Sequence, residues 1–449
     1  MRSPAKSAGG PAAPRTGRRG FLYAGGAALA LAGGFPLMQA FSSEPTGRWR
    51  TGPFGPLRPD PRGILDLPEG FGYRVLSRTG DAMSDGLRVP WRPDGMACFE
   101  LPETPGSARA LVLMRNHENP AGIGMLGPWT VAPAPEAWRP DGMGGVTRLV
   151  LDPDTLAVRS SNLVLGGTVL NCAGGPSPWG WLSCEETYSA DHGLVFACDP
   201  AASRVAAPVP IPGYGRFRHE AVSVDPDTSI AYLTEDRDDS CLYRFVPHAP
   251  ERPFEGELSA LAIRGRRGAD TARGLRNGER LEVEWIPVRD PDPAEGDVLR
   301  HLARRDGAAT ISRGEGISRD PTADRSRFVI TASSGGPAAT GQVFRLDPDA
   351  DGGELVVLAQ SEGTTDFDMP DNIVVSPQGL AYFCEDGHDR NYLRGLDGHG
   401  RVFDFARNAL SRSEIAGACF SPDGRALFLS LQTDGVTLAI TGPFGAVPA

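Results

Sequence analysis

Residues 221–236 read AVSVDPDTSIAYLTED and residues 373–386 read IVVSPQGLAYFCED. In each, a short run of alternating apolar residues meets an Asp-Pro or Ser-Pro turn. A second apolar run then ends on Glu-Asp. Alternation on both sides of a turn is the pattern of a β-hairpin. Residues 419–432, CFSPDGRALFLSLQ, repeat it, and 146–153 (VTRLVLDP), 194–200 (LVFACDP) and 343–348 (VFRLDP) carry parts of it. Hairpins recurring every few tens of residues predict the blades of a β-propeller, with a pair of β-sandwiches as the alternative. Uneven spacing predicts loops of different length. Helical periodicity is scarce, and Asp297–Arg305 (DVLRHLARR) is the best short helical insertion in this all-β reading.

Composition agrees with many short strands and turns: among 449 residues, 57 are Gly and 41 Pro. Lys6 is the only lysine. That excludes Schiff-base and P-loop lysine chemistry and leaves arginine or a metal to hold any anion.

The N-terminus carries Arg18-Arg19-Gly20-Phe21-Leu22 followed by a weakly apolar Ala/Gly run from Ala24 to Leu37. This is the pattern of a twin-arginine signal, which exports folded proteins. Residues 1–41 are expected to be removed, residues 42–59 to form a Pro/Gly-rich lead-in, and residues 60–445 to form one catalytic propeller. The apolar run is too short and Gly-rich for a stable membrane span. The expected location is periplasmic or secreted, and the expected state is a monomer. Without residues 1–41 the chain has 40 basic and 56 acidic residues, a net charge of −16. Such an excess disfavours nucleic acid and fits carboxylates gathered around cations. Seven cysteines are an odd number for an exported protein. At least one has another task, and Cys172 is the candidate, although Cys172 and Cys184 could form a local disulfide.

The densest stretch for chemistry is Gly167–Glu186, GTVLNCAGGPSPWGWLSCEE. It holds two thiols, two carboxylates, two Trp, and the Gly and Pro of tight turns. Other polar groups stand at hairpin edges: Arg115 to Glu118 after the strand Ala110–Met114, His219-Glu220, Glu235-Asp236, Arg313 with Glu315, Asp371-Asn372 and Glu385-Asp386. Singly, a Glu-Asp pair after a strand is most often a solvated turn, and a lone His a packing residue. Their joint occurrence at matching hairpin positions points to a site on the propeller axis. Oxygen clusters favour calcium, and a thiolate among carboxylates favours a transition metal. Arg313, two residues before Glu315, would share its strand face and could clamp an anion through its guanidinium fork.

The segments PRGILDLPEGFGYRVLSRTG (61–80), RNHENP (115–120), 167–186, GRFRHEAVSVDP (215–226), RGEG (313–316), MPDNIVVSPQGLAYFCEDG (369–387) and CFSPDGRALFLS (419–430) together resemble the PhoX-type alkaline phosphatase family. They occur in that family's order across most of residues 50–440. The resemblance implies a six-bladed, twin-arginine-exported propeller that hydrolyses phosphate monoesters for phosphate acquisition, with iron and calcium around a bridging oxygen. By motif, Cys172 would be an iron ligand. Glu220, Glu315 and Asp371 would serve iron and calcium, Asn116 and Glu118 would serve calcium, and Arg313 would hold phosphate. Cys172, Glu220 and Arg313 are thus the expected catalytic set. Glu185, Glu186, Glu235, Asp236, Glu385 and Asp386 are weaker candidates for the surrounding shell. The rival readings are a calcium-dependent phosphodiesterase or lactonase, and a non-catalytic metal-binding propeller.

Overall fold

The structure is a computed structural model that describes residues 51–104, 107–121, 136–397 and 400–446. The expected signal segment, residues 1–41, lies outside the described residues. The described chain is almost entirely β, in an arrangement like a β-propeller. Six strands line the axis: β1 (Pro93–Leu101), β2 (Asn171–Ser177), β3 (His219–Val224), β4 (Gly314–Arg319), β5 (Pro370–Val375) and β6 (Ile415–Phe420). Each packs beside the next, and β6 packs beside β1, so the ring closes.

From the axis outward, each inner strand continues into an antiparallel sheet. β1 leads a four-stranded sheet, β2 a three-stranded one, and β6 a four-stranded one. β3 and β4 are the two ends of a nine-stranded sheet, whose halves join where Arg280–Pro287 pairs with Gly353–Gln360. β5 leads a six-stranded sheet. The turns follow the Asp-Pro and Ser-Pro motifs: Ser376 Oγ accepts the Gln378 and Leu380 amides beside Pro377, an arrangement Ser favours in turns.

The N-terminal segments close the ring. Gly72–Arg78 supplies the outer strand of the β6 sheet, with Ser77 opposite Thr437, and Leu65–Pro68 adds to the β5 sheet. The lead-in is therefore partly strand, because Leu57–Arg58 pairs with Leu67 and Pro68. Between the β5 and β6 sheets lie Tyr382, Phe405, Phe420 and Leu429, joined by Phe54, Phe71 and Phe444. Burying this apolar surface holds neighbouring sheets face to face. The helical insertion is Leu299–Arg305, whose buried Arg300 reaches Asp239 at 2.7 Å.

Candidate active site

The same irregularity recurs in all six inner strands, and five of them share one residue pattern. Each begins opposite the end of its neighbour: Pro93 faces His117, Asn171 faces Glu185, His219 faces Glu235, Gly314 faces Ala332 and Pro370 faces Glu385. The ladder then slips, resuming at Met96, Gly174, Val222, Ile317 and Ile373. Such bulges re-aim side chains next to active sites. The residues immediately after the first pairs are Asp94, Cys172, Glu220, Glu315 and Asp371. Those after their partners are Glu118, Glu186, Asp236, Ser333 and Asp386. Two tiers of polar side chains thus crown the axis at one end. The sixth strand departs from the pattern. It carries Gly417 in the ring, and its polar groups come from Glu414 just before it and Gln432 at the end of the neighbouring strand. Gln432 Nε2 donates to Asp94 at 2.6 Å and to Glu118 at 2.9 Å.

The ring is narrow. A Cβ on Gly95 would stand 2.6 Å from Ala173 Cα, and one on Gly316 would stand 2.5 Å from Ile373 N. A cavity of about 40 Å³ beneath the carboxylates is lined by Gly95, Ala173, Ala221, Gly316, Asn372 and Gly417. The residues that precede β1, β2, β4 and β5 are Arg92, Leu170, Arg313 and Met369, with φ of 50°, 50°, 52° and 48°. Left-handed backbone at non-glycine residues costs of order 1–3 kcal/mol and gathers at functional sites.

Four groups of ligand atoms each lie within 4.8 Å of one another: Glu118–Cys172–Glu186, Asp94–Glu118–Glu414, Glu220–Glu315–Asp371 and Asp371–Asp386–Glu414. Shared members fuse them into one acidic centre. Arg92 pairs with Glu118 and Arg218 with Glu186. Arg313 holds Asp236 side-on, Nε to Oδ1 at 2.6 Å and Nη2 to Oδ2 at 2.9 Å, and lies 3.4 Å from Glu315.

Three arginines do not balance this many carboxylates. Burial, with Glu118 beside it, pushes Asp94 up to about 7. Burial and neighbouring acids also hold Glu186, Glu220, Glu315, Asp371 and Glu414 well above the usual carboxylate range. Burial raises the Cys172 thiol too, aided by Asp94 and Glu220. Asp236 is the exception: burial pushes it up, but the hydrogen bonds from Arg313 outweigh this and hold it low. Crowded, desolvated acids of this kind are stabilised by bound cations, which restore their charge. The donor set of carboxylates plus one thiol therefore fits a metal centre.

A sequence model of the family described as "Alkaline phosphatase PhoX" matches residues 52–155 and 154–435. The chain belongs to the PhoX alkaline phosphatase family. Its activity class is accordingly phosphate monoester hydrolysis. Among solved structures it is similar to Pseudomonas fluorescens PhoX in complex with vanadate, described as a transition state analogue. Identity there is 17%, with a TM-score of 0.67, covering 89% of this chain and 98% of that one. A gluconolactonase from Xanthomonas campestris aligns at 11% identity and a TM-score of 0.43, over 88% of this chain and 99% of that one. Among curated proteins, no sequence matches this chain.

In this PhoX-family chain the structure brings together six of the sequence candidates: Cys172, Glu118, Glu220, Glu315, Asp371 and Arg313. Asn116 does not join them. Its Nδ2 donates to the Cys172 and Ala173 carbonyls, and its Oδ1 accepts from Trp181 Nε1 at 2.8 Å and Ser183 Oγ at 2.9 Å. With both ends of the amide committed, it braces the Cys172 strand instead of holding a metal. Arg115 to His117 belong to the strand Ala110–His117 and do not follow it. Arg115 is buried against Ser77, Thr147 and Thr437.

The acid pairs divide by strand alternation. Glu186, Asp236 and Asp386 face the centre. Their predecessors turn into the sheets: Glu185 meets His192 at 2.6 Å, Glu235 accepts Tyr188 and Tyr243 at 3.0 Å, and Glu385 accepts Arg394 at 2.8 Å. No Cys172–Cys184 disulfide exists, since both are free and Cys184 lies in the apolar core. Sequence reasoning missed Asp94, Glu414, Arg92, Arg218 and Gln432. The one signal available for Asp94 was its place before Gly95 at the head of an inner strand.

Proposed function

We propose that this chain is an exported phosphomonoesterase working on small phosphate esters outside the cytoplasm, with calcium and iron as its metals. The observation that carries the reading is the convergence of Cys172 with carboxylates from the four inner strands that carry Asp94, Glu220, Glu315 and Asp371, beside Arg313. The hard oxygen groups suit calcium, and the group containing Cys172 suits iron. Glu118, Cys172 and Glu186 would hold the thiol-side metal, and Glu220, Glu315, Asp371, Asp94, Asp386 and Glu414 the oxygen-bound ones. When bound, such cations supply Lewis acidity and neutralise charge on a transferring phosphoryl group.

The chain's own residues do the rest. Arg313 is oriented by Asp236 through Nε and Nη2, which leaves Nη1 for a phosphoryl oxygen. Ser333, hydrogen-bonded to Glu315, fixes that carboxylate. Asn372 Nδ2 donates to Asp371 at 2.8 Å and its Oδ1 accepts the Gly417 amide at 2.5 Å, tying β5 to β6 under the site. No serine with a neighbouring histidine is needed for this chemistry.

Counting the nine-stranded sheet as two units joined at their outer strands gives six blades, one per inner strand, and the ring of inner contacts supports that count. Residues 60–445 would then be one catalytic domain. Export rests on the Arg18-Arg19 motif. Among the described residues no helix is long and apolar enough to cross a membrane. The test is phosphate release by the metal-replete protein. Glu220→Ala and Cys172→Ala should each abolish it while the melting curve stays cooperative. Full turnover in both variants would remove the site assignment.

A further inference from the structure

The Cys172 strand is bracketed by two arginines that the reaction described above does not use. Arg92 stands before β1 and Arg218 before β3, one on each side of β2. Each spends one nitrogen, Nη2, on a carboxylate of the Cys172 group: Arg92 on Glu118, Arg218 on Glu186. In both side chains Nε is buried with no hydrogen-bond partner among the described residues. Arg313 differs, because its Nε is satisfied by Asp236. A buried guanidinium N–H without an acceptor costs of order 1–3 kcal/mol, so two at matching positions call for an acceptor that arrives from outside.

The charge order around the rim says what kind of acceptor fits. From β1 to β4 it runs Arg92, Glu118, Glu186, Arg218, Asp236, Arg313, and Arg218 Nη2 lies 3.5 Å from Asp236. Glu118 and Glu186 belong to the metal-capable group with Cys172, while Asp236 belongs to none of the four groups. A cation held by Glu118 and Glu186 draws on their negative charge and leaves Arg92 and Arg218 less compensated. Arg313 keeps its own carboxylate. Arg92 and Arg218 are each about one-quarter exposed, so both can be reached from the rim.

We propose that Arg92 and Arg218 form an anion subsite distinct from the Arg313 clamp, which receives a second anionic group on the leaving-group side of the substrate. The inference rests on the phosphomonoesterase reading and deepens it. The favoured substrates are those whose leaving group carries a further phosphate, such as a nucleoside diphosphate, whose terminal P–O–P bond breaks to release a nucleoside monophosphate, over esters with a neutral aryl leaving group. Arg92 and Arg218 are specificity-determining residues in this account, and guanidinium–phosphate contacts provide the discrimination.

The test uses the full metal-replete protein and two measurements. The first is kcat/KM for a nucleoside diphosphate and for 4-nitrophenyl phosphate in wild type, Arg92→Gln and Arg218→Gln. The ratio of the two values should fall at least tenfold in each variant. The second is binding of methylenediphosphonate and of orthophosphate by calorimetry. Wild type should prefer the diphosphonate, and either substitution should remove the preference. An equal loss on both substrates would overturn the subsite, because the arginines would then act on the transferred group or the metals. An unchanged ratio would overturn it as well. Wild type that releases phosphate from neither substrate yet keeps an arginine-dependent preference for the diphosphonate would refute the phosphatase reading and leave the subsite standing. A wild type without that preference overturns the subsite whether or not either variant folds.

Discussion

Arg313 and Asp236 meet side-on, with nitrogen–oxygen distances of 2.6 and 2.9 Å, although 77 residues separate them in the chain. The contact joins the residue before β4 to the residue closing the β3 hairpin. It fixes the plane of the one guanidinium whose Nε is fully satisfied at the rim. Arg313 also holds a left-handed backbone conformation, at φ 52°. A flexible or differently shaped cation could not reproduce this.

Arg313→Lys should therefore behave much like Arg313→Ala. We expect either to lower kcat/KM for an aryl phosphate by ~10²–10³, the cost of removing one preorganised donor from a transition-state charge. Asp236→Asn should cost less, about tenfold, since it loosens the arginine without removing it. Steady-state kinetics on the three variants checks the order. A lysine variant with wild-type kcat/KM would show that the fork geometry is unused.

Cys172→Ser keeps the size of the side chain and removes the soft ligand. The variant should lose the transition metal and retain calcium, as read by elemental analysis of the purified protein. Unchanged iron content would place the iron elsewhere.

Glu385 is a strut, not a ligand. It is fully buried and accepts Arg394 at 2.8 Å together with the Asp368 and Tyr392 amides. Glu385→Ala leaves Arg394 buried with one partner fewer. We expect a loss of ~3–5 kcal/mol in unfolding free energy, seen as a lower denaturation midpoint. Metal content per folded molecule should be unchanged. Asp386→Ala, one residue on, should show the converse pattern.

In the metal-free protein, stability should fall as pH rises. Asp94 has an ordinary value of 3.8 and is pushed to about 7 in the fold by burial and Glu118. Glu235 moves from 4.5 to about 7, chiefly by burial. A raised carboxyl favours folding fully below its ordinary value, and the contribution is lost as pH climbs through the folded value. Between about pH 4 and 7 these groups therefore destabilise the chelated protein progressively. Asp94→Asn should remove part of that slope and melt higher than wild type at pH 8 without metal. A wild-type and variant pair with parallel curves would contradict the assignment.

Much of this could be read from the chain alone. AVSVDPDTSIAYLTED and IVVSPQGLAYFCED became hairpins that bring Asp236 and Asp386 to the axis, and DVLRHLARR became the helix Leu299–Arg305. Glu220, Glu315 and Asp371 were legible because they fall in HEAV, RGEG and PDN, segments whose resemblance to the family implied their roles. Asp94 was not, because Pro93 and Gly95 around it read as an ordinary turn, and its partner Gln432 is 338 residues away. Glu414 sits in Ser411-Arg412-Ser413-Glu414, a polar run with no apolar alternation to mark it. The Glu-Glu and Glu-Asp pairs hid their division of labour. Alternation along a strand sends one member to the centre and one into the sheet, and the starting phase is set by the bulge opposite. Asn116 was misplaced for another reason: it lies inside the strand Ala110–His117 with its amide bonded between strands, whereas Glu118 stands just past the strand's end and faces the centre.

The most direct test of the central claim is phosphate release from 4-nitrophenyl phosphate by the mature protein at alkaline pH, measured as purified, after chelation, and after calcium is returned. Turnover that disappears on chelation and reappears with calcium is the expected result. Turnover that survives complete removal of metal, or its absence in protein carrying both iron and calcium, would contradict a metal-dependent phosphomonoesterase.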